Sequence, residues 1–486
     1  MAYNKLKVRK MVGFQTWFKG NLTLKLEPPL DPAFLPASLW NRSFRLQLAG
    51  SKSEVLRIAL EREGGSLSSY ELAVPASSTE ELKEVNLFYV ERTIKNLLWM
   101  KGGWRLYLNG PAEIIQPLAR IYARQGQRAF DVELMSRAYS RPFEVVLVAD
   151  EEAFPSSREK TRPLGGHLDG YRIGFDLGAS DWKVAALAEG ETVYTAEFPW
   201  LPSQATDPRY HYHHLQAALN LAAAHLPRVE AIGGSAAGIY VNNEPRVASL
   251  FRGISTELFV QEIRPIFHRL KREWAVPLEV ANDGEVAALA GSMAFGGRKL
   301  LAISMGSSEA GGYVNDAGYI TDWLNELAFA PIDYRADAPV DEWSGDAGCG
   351  VQYFSQQAVF RLAQAAHLAL DESLTPAEKL KQVQALLEKG EKKARLIFET
   401  IGIYLGYGVA HYADYYDLEH VFVLGRVTSG EAGPIIVDMA KKLLQLEFPA
   451  LAERIEFHLP DERFRRLGQA VAAATLPVIQ KKGGRE

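Results

Sequence analysis

Residues 173–187 read IGFDLGASDWKVAAL: an apolar run, an acid, a turn of small residues, and a second apolar run almost without a gap. Small residues such as Gly178, Ala179 and Ser180 let an oxyanion approach backbone N–H groups that point into one concavity. A Walker-type phosphate loop would add a Gly-Lys pair followed by Ser or Thr and would run into a helix. This turn instead runs into Asp181-Trp182-Lys183-Val184 and a further apolar stretch. The segment therefore predicts two strands joined by a tight hairpin, with Asp176 near the end of the first. Taken alone, a turn between two buried strands accounts for Gly178 about as well as phosphate binding does.

A second stretch of the same design, SMGSSEAGGYV, places Gly306, Ser307 and Ser308 after one apolar strand, while Gly311-Gly312 lead into the next. A third glycine-bearing turn, Gly425 to Gly430, ends the strand VFVL and precedes the helix PIIVDMAKKLL, an arrangement that commonly faces a nucleotide. Between the first two turns lies PLEVANDGEVAALAG, whose strand LEV ends at Asn282-Asp283 as a helix begins. Asp283 could cap that helix. A carboxylate at a strand end is also where a general base would stand, accepting a hydroxyl proton as that oxygen attacks a γ-phosphate.

Working outward, the 486 residues exceed the size at which one core keeps growing, so two or three domains are expected. Hydrophobic residues at 47% and charged residues at 23% are ordinary for globular chains and exclude disorder as the theme. One cysteine, Cys349, excludes a disulfide framework and an all-thiolate metal site. The opening MAYNKLKVRKMVGFQTWFKG has no apolar core of the secretory kind, and no run of about 18 apolar residues occurs, so a cytoplasmic protein without a membrane partner is expected. Residues 1–165 hold 24 Lys+Arg against 18 Asp+Glu, and the rest hold 30 against 41. Such a mild, scattered excess reads as solvated surface, so no nucleic-acid partner is expected.

FPSSREKTRPLGGHLDGY (154–171) has the composition of an interdomain linker. Before it, FRLQLAG and YELAVPA alternate like strands, and SSTEELKEVNLFYVERTIKNLLWM opens with a Ser/Thr-x-x-Glu cap. An α+β N-terminal domain over 1–160 follows from this pattern. After the linker, strand, strand, strand, helix, strand is followed by the helix LFRGISTELFVQEIRPIFHRLKREW (250–274), and a similar series restarts at KLLAISMG. Two α/β halves on a duplicated plan, 171–300 and 301–480, are predicted.

The joint order of DLGAS, AIGGSAAG, ANDGEVAALAG, MGSSEAGG, NELAF, GDAGCG and VLGR resembles the ROK family of sugar kinases and repressors, within the actin-like ATPase superfamily. The resemblance covers about 171–475. It implies an α/β, two-lobed actin-like ATPase (ribonuclease H-like) fold preceded by a separate N-terminal domain, and ATP-dependent phosphorylation of a sugar or related polyol. It implies that Asp176 sits beside Mg²⁺ and the phosphates, that Gly178, Ala179 and Ser180 form the first phosphate loop, and that Gly306, Ser307 and Ser308 form the second. Asp283 matches the catalytic base, Asn282 and Glu326 match residues that hold sugar hydroxyls, and Gly425 lies where adenosine packs. A homodimer is among the assemblies it allows.

The sequence also departs from the family. Phe329 stands where a His usually follows Glu326, and in GDAGCGVQYFS only Cys349 remains of the usual cysteine cluster, with Val351 in place of the acid. One thiol without a nearby His cannot complete a tetrahedral zinc set, so no structural zinc is expected there. A site built to bond hydroxyls loses about 1–3 kcal/mol for each missing partner, which weighs against a plain hexose acceptor. The altered pocket motivates a rival reading, a ligand sensor that transfers nothing and uses the N-terminal domain as its output. His211, His213 and His214 read as a helix start with exposed imidazoles.

Overall fold

The computed structural model describes residues 22–48, 52–76, 79–159 and 163–479. The opening 20 residues, read above for an export signal, and residues 160–162 of the 154–171 stretch lie outside the described residues. The first part holds α1 (Ala37–Gln47), β1 (Ser53–Glu61), β2 (Leu67–Pro75), α2 (Glu80–Lys101), β3 (Arg105–Asn109), α3 (Ala112–Ile121), α4 (Ala129–Tyr139) and β4 (Glu144–Leu147). Its sheet has the order β2-β1-β3-β4. The predicted cap of α2 is present: Thr79 accepts from the Leu82 N–H at 3.2 Å, satisfying one of the helix's free donors.

The DLGAS segment forms the hairpin that its turn dictates. β5 (Tyr171–Leu177) and β6 (Asp181–Ala188) are antiparallel, and β7 (Glu191–Pro199) follows antiparallel to β6. α5 (Pro208–Ala223) then leads to β8 (Ala231–Ala236), and beyond the short hairpin β9 (Ile239–Val241)–β10 (Glu244–Val247), α6 (Ile266–Trp274) leads to β11 (Leu278–Asn282). The sheet order is β11-β8-β5-β6-β7, with β5, β8 and β11 parallel. The plan repeats in the second sheet. β12 (Leu300–Met305) and β13 (Glu309–Val314) form the hairpin, and β14 (His420–Leu424) and β15 (Glu456–His458) run parallel beside β12, in the order β13-β12-β14-β15. Helices α8 (Gln356–Ala365), α9 (Pro376–Glu388), α10 (Lys392–Tyr412) and α11 (Ala432–Glu447) belong to this half.

Two helices fill the space between the sheets, α7 (Asp283–Phe295) and α12 (Glu462–Ala474). Their backbones come unusually close to the strands because glycines face them. A Cβ on Gly174 would lie 1.7 Å from the Ala470 carbonyl oxygen, and one on Gly233 would lie 1.7 Å from that of Ala473. α7 in turn sits over the second sheet, with Gly284 against Gly311 and Gly312. The two helices are thus exchanged relative to the sequence halves: α12, expected within 301–480, packs on the first sheet, and α7, expected within 171–300, packs on the second.

Packing corrects the expectation of a separate N-terminal domain. Trp40, Leu56, Trp99 and Met135 belong to the same continuous apolar core as Leu301, Phe354 and Tyr404. Linker-like composition marks a surface segment; it does not report whether the parts on either side bury apolar area against each other. The helix expected over 250–274 is also interrupted, and regular α-helix resumes only at Ile266, after Pro265, which lacks an N–H to donate. His211 is fully buried with Nε2 near the carbonyls of Pro202 and Leu250, and His214 is half-buried, so of the three histidines His213 alone is exposed. Among the described residues no helix is long and apolar enough to cross a membrane.

Candidate functional site

The two glycine turns are equal in length and alike in exposure. Gly178–Ser180 joins β5 to β6, and Gly306–Ser308 joins β12 to β13. In each, the glycine is half-buried and the two residues after it are exposed. Gly178 N–H donates to the Asp181 carbonyl at 2.9 Å, and Gly306 N–H donates to that of Ser308 at 2.9 Å. Gly425, with φ of 103°, closes on the end of β12: a Cβ there would lie 2.4 Å from the Met305 carbonyl oxygen. The third turn is thereby brought against the second.

Asp176 is the penultimate residue of β5, paired in register with Ser235 of β8. Ser235 Oγ donates to Asp176 Oδ1 at 2.6 Å, a charge-assisted bond. Asp176 is only 5% exposed, and burial pushes its pKa up to about 6, with the serine bond opposing and the charge of Asp283 adding to the rise. Asp176 and Asp283 therefore share one neighbourhood.

At the start of α7 the sequence offered Asp283 as the helix cap, but Asn282 is the N-cap. Asn282 Oδ1 accepts from Gly284 N–H at 2.7 Å, while its Nδ2 donates to the Gly238 carbonyl at 2.7 Å. Asp283 Oδ1 is a longer second acceptor of the same N–H at 3.0 Å, and its other oxygen takes no part in the cap. Burial raises the Asp283 pKa, which suits a proton acceptor that must not be too weak a base. Asn282 retains one N–H and one lone pair for any ligand.

Glu326 completes the group. Burial and the charge of Asp283 push its pKa up to about 7. Its backbone is held from outside the two halves, because the N–H groups of Leu324, Asn325 and Glu326 donate to the carbonyls of Lys101, Met100 and Trp99 at the end of α2. Phe329 is buried against Trp99, with ring centroids 4.5 Å apart, and against Phe130 at 5.6 Å. The position read as a lost sugar ligand is a docking point for the N-terminal part.

Cys349 and Val351 are buried, and burial pushes the Cys349 thiol up to about 12, which leaves it an inert core residue. Beside this loop lies a buried ion network: Lys95 Nζ is 2.8 Å from Asp131 and 3.0 Å from Asp346, and Arg128 reaches Asp346 at 2.6 Å.

Sequence reasoning missed several groups here. Glu285, one helix position beyond Gly284, is pushed up to about 8 by burial and receives a bond from Asn325 at 3.4 Å. A cavity of about 330 Å³ adjoins Asn282 and Glu285, walled also by Tyr240, Asp322, Arg62 and Tyr139. Arg62 and Tyr139 come from the N-terminal part, and no local motif marks them. Glu285 carried a signal, a carboxylate on the same helical turn as Asp283.

No family model matches this chain. Among curated proteins, a glucokinase of Halalkalibacterium halodurans is 24% identical over 210 residues, covering 40% of this chain. The chain spans 62% of that glucokinase's length. Among solved structures, a ROK hexokinase from Thermus thermophilus matches with a TM-score of 0.48 at 19% identity, covering 62% of this chain and 97% of its own. A ROK family glucokinase from Streptomyces griseus, solved with glucose and AMPPNP, matches with a TM-score of 0.44 at 20% identity, covering 63% of this chain and 98% of its own. The chain resembles the ROK family. Each of these ROK structures leaves more than a third of this chain uncovered.

Proposed function

We propose that this protein is an ATP-dependent phosphotransferase of the ROK kind that moves the γ-phosphate to a hydroxyl of a sugar or related polyol. The observation that carries the reading is the convergence of Asp176, Asp283 and Glu326, residues far apart in sequence, into one electrostatic neighbourhood at the start of α7. The repeated sheet plan supports a two-lobed, actin-like ATPase architecture of the ribonuclease H-like kind, with the turns at Gly178–Ser180 and Gly306–Ser308 as phosphate loops and Gly425 beside the adenosine. A cytoplasmic setting, where ATP is abundant, fits this reading.

The donor set suits Mg²⁺, a hard cation that takes carboxylate and phosphate oxygens. Asp176 would hold it, directly or through water, and a cation would relieve the burial that now raises this carboxyl's pKa. Bound Mg²⁺ supplies charge neutralisation on the β- and γ-phosphates. The exposed turns present backbone N–H groups to phosphate oxygens. Asp283 accepts the acceptor's hydroxyl proton as that oxygen bonds to the γ-phosphorus and ADP departs. Glu326, Glu285 and the free capacity of Asn282 orient the acceptor, and the cavity shared with Arg62 and Tyr139 is where it would enter.

A second reading, a nucleotide- or sugar-responsive regulator without transfer, is favoured by one observation: the N-terminal helix α2 is hydrogen-bonded to the Glu326 segment and packs on Phe329 through Trp99. The two readings separate on ADP release with ATP–Mg²⁺ and a panel of sugars, amino sugars and polyols. Acceptor-dependent release supports the kinase, whereas saturable binding with no release above the acceptor-free rate supports the regulator.

A further inference from the structure

Away from the cleft, two imidazoles and a carboxylate converge on one face of the second sheet's edge. His420 opens β14, and Glu456 and His458 begin and end β15. The parallel register pairs His420 with Glu456, and Glu456 and His458 are two apart on one strand, so all three side chains leave the same face. His420 Nδ1 and His458 Nε2 are 3.0 Å apart, and Glu456 Oε2 lies 3.8 Å from the first and 3.9 Å from the second. A triangle with those edges has a centre about 2.1 Å from each corner, the length of a zinc–imidazole or zinc–carboxylate bond. Among the described residues this is the one trio of metal-ligating side chains so close together.

We propose that His420, Glu456 and His458 bind a divalent transition metal, zinc or one of similar ligand preference. Two nitrogens and one oxygen select that class over Mg²⁺ or Ca²⁺, which take oxygen shells. Both rings are oriented by packing and do not depend on the metal for their position. His458 stacks on Phe295, with centroids 4.7 Å apart and planes 16° apart. His420 occupies space that only a glycine at 297 leaves open, since a Cβ there would lie 2.6 Å from His420 Cδ2. Without metal, one of the two facing nitrogens donates its proton to the other; metal entry puts the donor ring in its other tautomer, with the proton on the outer nitrogen, so that both facing lone pairs become ligands. Partial burial already holds the His458 imidazole below its ordinary pKa, which favours the neutral form a ligand needs. The metal would fasten the three-residue strand β15 and the end of α7 to β14. His420 is at the opposite end of β14 from Gly425, so the site is separate from the proposed phosphoryl-transfer cleft.

The test uses the full chain without an affinity tag, stripped with EDTA and desalted. Titration with zinc chloride is expected to show one equivalent bound by calorimetry and a melting temperature raised by several degrees, with a visible absorption band when cobalt replaces zinc and no melting shift that depends on these residues with Mg²⁺. Glu456→Gln, at an exposed side chain, should weaken zinc at least tenfold while keeping the wild-type circular dichroism and metal-free melting temperature. His458→Gln should remove the response. Gly297→Ala, which alters no ligand, should weaken binding by displacing the His420 ring. Zinc binding and melting response equal to wild type in both Glu456→Gln and His458→Gln, or no saturable zinc binding by wild type, would overturn the proposal.

Discussion

The turns at Gly178–Ser180 and Gly306–Ser308 are each made by residues adjacent in sequence, three between antiparallel strands, and each sits within its own sheet. The Glu326 segment, only 18 residues past the second turn, is held instead by the end of α2 and by Trp99 and Phe130, from the start of the chain. The two turns are local designs, whereas Phe329, the position where the sequence departs from the motif order it otherwise resembles, lies where the N-terminal part packs. Phe329, read from sequence as a missing ligand, makes sense as an aromatic anchor, and the loop around Cys349 is tied down by Lys95 and Arg128 through Asp346.

The comparison breaks first at the ion network. Lys95→Met leaves the buried Asp131 without its ammonium partner and takes one of two cations from Asp346, and unfolding in denaturant should show a loss of about 3–5 kcal/mol. A loss below about 1 kcal/mol would mean that the N-terminal part does not hold the loop. Phe329→Ala should cost about 3 kcal/mol, and a cycle with Trp99→Ala should show coupling above about 0.5 kcal/mol. Additive effects would separate the Glu326 segment from α2. On the other side, Gly425→Ala should cost about 2 kcal/mol, because a left-handed φ and the Met305 backbone both resist a Cβ.

The readout expected to move least is the pH dependence of melting, because Glu285 and Glu326 are only half-buried and solvent screens them. Burial raises Glu285 from the ordinary 4.5 to about 8 and Glu326 to about 7. Between those limits the native state holds more protons than the unfolded chain, so this contribution to stability is present at low pH and is lost as pH rises through the window. The melting temperature of wild type should therefore fall more between pH 5 and pH 8 than that of Glu285→Gln. Equal slopes would mean that desolvation does not raise the Glu285 carboxyl.

What was legible in the sequence was local. A glycine turn between two apolar runs specifies a hairpin through backbone sterics alone, and the repeat of that design foretold the repeated sheet plan. Asn282-Asp283 at a strand end marked the start of a helix, although which of the two side chains caps it needed coordinates, since both can. What was not legible depends on distant partners. Nothing near Arg62 or Lys95 announces a buried cation, because their burial comes from chain brought in more than two hundred residues later. The exchange of α7 and α12 is likewise invisible locally, as it rests on which glycines face which helix.

The central proposal, that Asp283 is the proton acceptor of a phosphoryl transfer, is tested most directly by Asp283→Asn. With ATP–Mg²⁺ and the acceptor that gives the fastest ADP release, turnover should fall about 10²–10⁴-fold, while calorimetric affinity for a non-hydrolysable ATP analogue stays within about threefold of wild type. Undiminished turnover in the variant would contradict the account.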